Sequence, residues 1–191
     1  MNMKEILRIN PLIAAAQHET LQLAVHSKAS SIILINGKLN ELMEQDFHMY
    51  NKKKPILLHT DLIKGLSNDK ESINFIKKYI NPAGIVSTKS TMLRAAKKKG
   101  LITIQRVFLI DTNSLKGAIE SIRENDPDVV EVMPALVYPI VETIKNEIDK
   151  PIVLGGLISE KEQILDMFKA GADGISCSKS ELWNIDIKSE F

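Results

Sequence analysis

The sequence predicts an α/β protein: a single compact (β/α)8 TIM barrel with short loops, one domain over residues 1–191. Two observations lead there. Short apolar runs alternate with segments of helical spacing along the whole chain, with no linker or low-complexity stretch between them. The last quarter then reads as a closing unit. An apolar run at 151–154 opens into Gly155-Gly156, one helix follows, and Ala170-Gly171-Ala172-Asp173 turns the chain into a final run ending at Cys177. In barrels of this kind the loops after strands seven and eight commonly form a phosphate site from backbone N–H groups.

Taken in order, the strands are expected at 12–16, 31–35, 56–59, 84–87, 102–107, 129–133, 152–154 and 174–177, each short and rich in Ile, Val, Leu or Ala. Helices are expected near 19–27, 39–51, 69–79, 91–98, 114–125, 136–147, 160–170 and 179–183, filling every gap. Asp69 and Ser159 stand at N-cap positions, and Pro127 and Pro151 follow helix ends. Strands separated by helices pair in parallel through right-handed crossovers, and eight of them favour a closed barrel over an open sheet.

A barrel of this type usually takes about 250 residues, so 191 forces short loops. Hydrophobic content of 44% and charged content of 26% describe an ordinary globular chain. No apolar run reaches bilayer-spanning length, and the first ten residues lack a signal peptide's apolar core and cleavage site. With Cys177 the single cysteine, a cytoplasmic location without membrane partners is the simplest expectation. A net charge of +1 gives no global drive toward nucleic acid, so any such contact needs a local patch.

Function in a barrel sits at the carboxyl ends of the strands. The polar residues there are Gln17, Asn36, His59, Asp61, Ser87, Thr88, Lys89, Gln105, Arg106, Asp111 and Glu131, with Gly155, Gly156, Ser176 and Ser178 completing the ring. The glycines admit an oxyanion close to the backbone and permit positive φ, the two serines add hydroxyl donors, and the helix after Lys179 would aim its N-terminus at the anion. Arg106 and Lys89, turned inward, would neutralise a phosphate. His59 and Asp61, two apart, share a face in extended structure; with Glu131 they could hold a divalent metal or do acid/base work, or form a passive network addressing ligand hydroxyls. No base stands near Cys177 in sequence, so it reads as a small buried residue lining the site, and Trp183 as packing against strands one and eight.

The segments His59-Thr60-Asp61-Leu62-Ile63-Lys64-Gly65-Leu66, Pro82-Ala83-Gly84-Ile85-Val86-Ser87-Thr88-Lys89, Gln105-Arg106-Val107-Phe108-Leu109-Ile110-Asp111, Glu131-Val132-Met133-Pro134, Gly155-Gly156-Leu157-Ile158 and Ser176-Cys177-Ser178-Lys179-Ser180-Glu181-Leu182-Trp183 resemble the glycerol uptake operon antiterminator regulatory family. The resemblance covers nearly the whole chain in order. It implies a bacterial TIM-barrel regulator that senses glycerol 3-phosphate and promotes transcription by acting on leader RNA of glycerol catabolic genes, without catalytic residues or a cofactor. Gln17 and Ser159 depart from it, standing where some members carry a basic residue.

Lysines cluster at Lys52-Lys53-Lys54, Lys77-Lys78 and Lys97-Lys98-Lys99, near helix ends that feed strands three to five. They should gather on the amino-terminal face, opposite the ligand site, where they could meet RNA phosphates or merely oppose helix dipoles. A change of oligomeric state, such as a homo-oligomer, could relay ligand binding. The rival class is a metal-assisted enzyme acting on a small phosphorylated metabolite: an isomerase, an aldolase or a phosphodiesterase. Short loops and the lack of a lysine inside a strand count against it.

Overall fold

The computed structural model describes residues 2–190; positions 1 and 191, the outer ends of the expected domain, lie outside the described residues. Eight parallel strands close into a barrel in chain order: β1 (Leu12–Ala16), β2 (Ser31–Leu34), β3 (Ile56–His59), β4 (Gly84–Ser87), β5 (Ile102–Phe108), β6 (Val129–Met133), β7 (Ile152–Gly155) and β8 (Gly174–Cys177). Pairing of β8 with β1, Ile13 opposite Ser176, seals the ring. The helices are α1 (Met3–Ile9), α2 (Leu21–His26), α3 (Leu39–Leu42), α4 (Gln45–Lys53), α5 (Lys70–Phe75), α6 (Ser90–Lys98), α7 (Thr112–Asn125), α8 (Val141–Glu147) and α9 (Lys161–Lys169).

Alternation along each strand sorts side chains into two cores. Leu12, Ile32, Leu58, Ile85, Val130, Leu154 and Ile175 belong to the outer one, shared with the helices. Ile13, Ile33, Leu57, Val86, Ile104, Val129 and Val153 fill the barrel, and Met3, Ile6 and Leu7 of α1 join them from the amino-terminal end. That helix was not expected from the sequence, although its buried residues follow helical spacing. Asn2 and Glu5 start it with a reciprocal capping box, each side chain accepting the other's backbone N–H at 2.9 Å. A Cβ on Gly174 would come within 2.9 Å of Leu7 Cδ2, so the bare glycine makes room for the plug.

Several expected helices are broken for identifiable reasons. The one at 39–51 splits into α3 and α4 around an extended Glu44. Leu42 and Phe47 are both buried, and in a continuous helix five residues would set them about 140° apart. Pro139 removes an N–H, so the 136–147 segment begins as a 3₁₀ turn, Ala135–Ile140, before α8. After Lys179 a 3₁₀ turn, Ser180–Asn184, replaces the helix, because Trp183 folds back and its indole N–H donates to the Cys177 carbonyl at 2.8 Å. Trp183 is buried against β1 and β8 as expected.

The amino-terminal face is a stability face. Asp128 accepts from the Thr103 N–H at 2.8 Å and Asp173 from the Ile152 N–H at 2.8 Å, tying each loop to the start of a neighbouring strand. If α1 is a structural plug, Ile6→Ala should cost about 2–5 kcal/mol in urea unfolding, as a core truncation does, whereas Ile9→Ala, on the same helix but 64% exposed, should change stability by less than about 0.5 kcal/mol.

Candidate functional site

Above the apolar inner cluster, the next inward positions toward the carboxyl ends are His59 on β3, Arg106 on β5, Glu131 on β6 and Ser176 on β8, all buried. A carboxylate without water must be paired, and Glu131 uses both oxygens. Oε2 accepts from Arg106 Nε at 2.7 Å and Oε1 from the Ser176 hydroxyl at 2.5 Å. Gly155 lies beside this bridge. A Cβ there would overlap Ser176 Oγ and reach 3.0 Å from Glu131 Oε1. Its glycine is therefore required by the network, and positive φ falls instead on Gly156 (+82°) and Leu157 (+61°). These two turn the chain sharply at the mouth.

Two buried atoms in this layer have no hydrogen-bond partner among the described residues: Arg106 Nη2 and His59 Nδ1. An unsatisfied buried donor or acceptor costs roughly 1–3 kcal/mol, more when charged, and a polar ligand atom would recover it. Burial lowers the His59 pKa, the Arg106 cation adds to the effect, and Asp61 and Glu131 oppose it without prevailing. The ring is thus neutral near neutral pH and can both donate and accept.

Asp61 sits just outside that layer. The chain leaves extended structure after His59 for a 3₁₀ turn, Thr60–Leu62, so the two-residue spacing does not carry Asp61 along the strand face. Its carboxylate accepts from the Ser87 hydroxyl at 2.5 Å and from the N–H and hydroxyl of Thr88 at 2.8 Å each, anchoring the turn after β4. Burial works against its ionisation, but these bonds outweigh burial and hold its pKa below the usual carboxylate range. With the oxygens of Asp61 and Glu131 so engaged, the three-residue metal set considered from the sequence is not assembled; among the described residues no group of three His, Cys, Asp or Glu is placed to hold a metal ion.

Other expected site residues are redistributed. Arg106 points inward, but its first partner is Glu131, and the Ser176 hydroxyl is committed to the same carboxylate. Ser178 and Lys89 are exposed at the rim, Lys89 as the residue preceding α6. Gln105 faces outward, where its amide donates to Ser121 at 2.9 Å and its oxygen accepts from Asn125 at 3.1 Å. Cys177 also joins the outer core, away from the lumen, and burial pushes its thiol up to about 12, which leaves it inert. The short Ser180–Asn184 turn offers no helix dipole to an anion. Ser159 does not cap α9; Glu160 precedes it, and Ser159 N–H donates to Gln163 at 2.8 Å. Gln17 is exposed before the His18–Thr20 turn.

The lysine clusters do end the segments that feed β3, β4 and β5. Not all are available. Lys54 is half-buried, its ammonium donating to the carbonyls of Ala24 (2.9 Å) and Ser27 (2.7 Å) at the end of α2, and burial lowers its pKa to about 8. Lys97 is paired with Asp126. Lys52, Lys53, Lys98 and Lys99 are exposed, and the last two join Lys70 and Arg94 along an open groove of about 600 Å³ between α5 and α6.

The family described as glycerol-3-phosphate responsive antiterminator matches residues 12–183. An uncharacterized Escherichia coli K12 protein, YgcP, is 30% identical over 186 residues, 97% of each chain. Among solved structures, the glycerol uptake operon antiterminator regulatory protein of Listeria monocytogenes superposes with a TM-score of 0.84 at 28% identity, over 91% of this chain and 95% of that one. A glycerol uptake operon antiterminator-related protein of Thermotoga maritima gives 0.78 at 25% identity, over 91% and 98%. Among the described residues no helix is long and apolar enough to cross a membrane.

Two outcomes follow from the buried layer. Arg106→Met should cost about 3–5 kcal/mol in chemical unfolding because it strands the Glu131 carboxylate, and Arg106→Met with Glu131→Met should regain most of that loss. The second concerns pH. His59 is depressed below its unfolded value of 6.5, so the unfolded chain takes up that proton first; stability is full above that value and falls as pH drops below it. Thermal melts between pH 7 and 5 should show this component in the wild type and lose it in His59→Gln.

Proposed function

On the premise that this chain belongs to the glycerol-3-phosphate responsive antiterminator family, we propose that it senses glycerol 3-phosphate in the barrel mouth and acts on leader RNA. The observation that carries this reading is the pair of buried atoms without a partner among the described residues, Arg106 Nη2 and His59 Nδ1, beside the paired Glu131 and Ser176. In the proposed pose the phosphate lies over the Gly156–Leu157 turn and Ser178, with Arg106 Nη2 supplying charge from within and Lys89 from the rim. His59 takes a glycerol hydroxyl. Glu131, Ser176 and Gly155 fix the Arg106 fork, and Asp61 fixes the β4 turn, all without needing to touch the ligand.

Sensing is favoured over turnover because both carboxylates have committed oxygens and no lysine is among the buried polar residues described. RNA contact is assigned to Lys52, Lys53, Lys98 and Lys99, the exposed members of the clusters at 52–54 and 97–99.

Glycerol 3-phosphate at a hundred times its dissociation constant should stabilise the fold by about 2.7 kcal/mol in a thermal melt, with glycerol and inorganic phosphate well behind. Arg106→Lys keeps a cation against Glu131 but removes Nη2; loss of one charge-assisted hydrogen bond should weaken binding roughly 10- to 150-fold by calorimetry. Equal binding by this variant would defeat the pose. Lys98→Glu with Lys99→Glu should weaken leader RNA binding and flatten its salt dependence, and an unchanged slope would remove these lysines from the interface.

A further inference from the structure

The exposed large apolar side chains on the carboxyl face include a continuous arc. Phe108 ends β5 and Ile110 follows it, Leu136 stands in the turn after β6, and Leu157 in the turn after β7; they are 54%, 88%, 49% and 71% exposed. Their loops are bonded to one another. Leu109 N–H donates to the Met133 carbonyl at 2.9 Å, and Ala135 N–H to the Gly156 carbonyl at 3.2 Å. Leu157 is held outward in a left-handed conformation that leucine seldom adopts.

An isolated exposed leucine means little, but a contiguous apolar patch marks a contact surface. From these exposures the four side chains leave on the order of 450 Å² open, close to the apolar share, about 60%, of the ~800 Å² that each partner contributes to a standard interface. Residues 108–111, 134–140 and 156–159 contain no lysine or arginine. Single-stranded nucleic acid needs cations along its track, so this surface suits protein rather than RNA.

We propose that a second copy of this chain docks on the arc, mouth beside mouth, about a two-fold axis. A two-fold brings the same four side chains to both sides, and an apolar patch is complementary to itself. Ile110 and Leu157 are the central anchors, and the contact borders the openings that hold Arg106 and His59. Nothing in this depends on which ligand those residues bind.

The test is sedimentation of the full-length protein from low to high micromolar concentration, comparing the wild type with Ile110→Glu and with Leu23→Glu, a control on the outer helix α2 that is 51% exposed. Unchanged melting temperatures would confirm that both variants fold. The wild type should form dimers, Ile110→Glu should raise the dimer dissociation constant by at least about tenfold, and Leu23→Glu should leave it alone. A wild type that stays monomeric throughout overturns the proposal. So does an Ile110→Glu variant that associates as tightly as the wild type, a Leu23→Glu variant equally impaired, or loss of leader RNA binding by Ile110→Glu without any change in oligomeric state.

Discussion

The interior of this barrel is organised by one fully buried carboxylate. Glu131 stands directly above an apolar inner cluster, and its charge is tolerable only because Arg106 and Ser176 reach it from β5 and β8. The rest of the layer follows from that requirement. Gly155 must lack a side chain so that the bridge fits, and Arg106 meets the carboxylate through Nε, which leaves Nη2 buried without a partner among the described residues. His59, beside a fixed cation and away from water, is kept neutral. A layer built to stabilise an ion has thereby become a layer with two vacant hydrogen-bonding positions.

The two ends of the barrel are put to different use. At the amino-terminal end, polar groups finish the structure: Asp128 and Asp173 bind strand N–H groups, and Lys54 closes the end of α2. At the carboxyl end the backbone turns at Gly156 and Leu157, leaving hydroxyls, backbone and apolar side chains open. Short loops sharpen this contrast. With short loops around the mouth, shielding of a ligand falls to the barrel wall or to another molecule.

The strands were legible because each is a short apolar run between turn residues; all eight begin where the pattern places them and end within one residue of it, and β1, β3, β4, β6 and β8 coincide fully. Inward or outward direction was harder to read. Gln105, Arg106 and Val107 are adjacent and all buried, yet only strand parity separates the inward arginine from its neighbours. The sequence showed the site's ingredients but not their pairings. Ser176 and Gly155 looked like ligand contacts because nothing local reveals that the side chain of Glu131, over twenty residues earlier in the chain, reaches past Gly155 to Ser176. Lys54 looked like its two lysine neighbours until the fold brought the end of α2 over it. Helix breaks at Glu44 and Pro139 have visible causes, whereas α1 is a seven-residue helix, too short for its buried spacing to stand out.

The seating of α1 has a consequence for how the chain is made. Leu7 rests against Gly174, so the first helix finds its place only when the last strand exists. During synthesis the amino-terminal segment emerges early and its seat is complete only once β8 follows, while β1 waits with one edge open for β8. The nascent chain is therefore an incomplete sheet with an unplugged floor until its final quarter leaves the ribosome. Premature termination anywhere before that point would release a product with exposed strand edges, suited to aggregation or degradation rather than partial function.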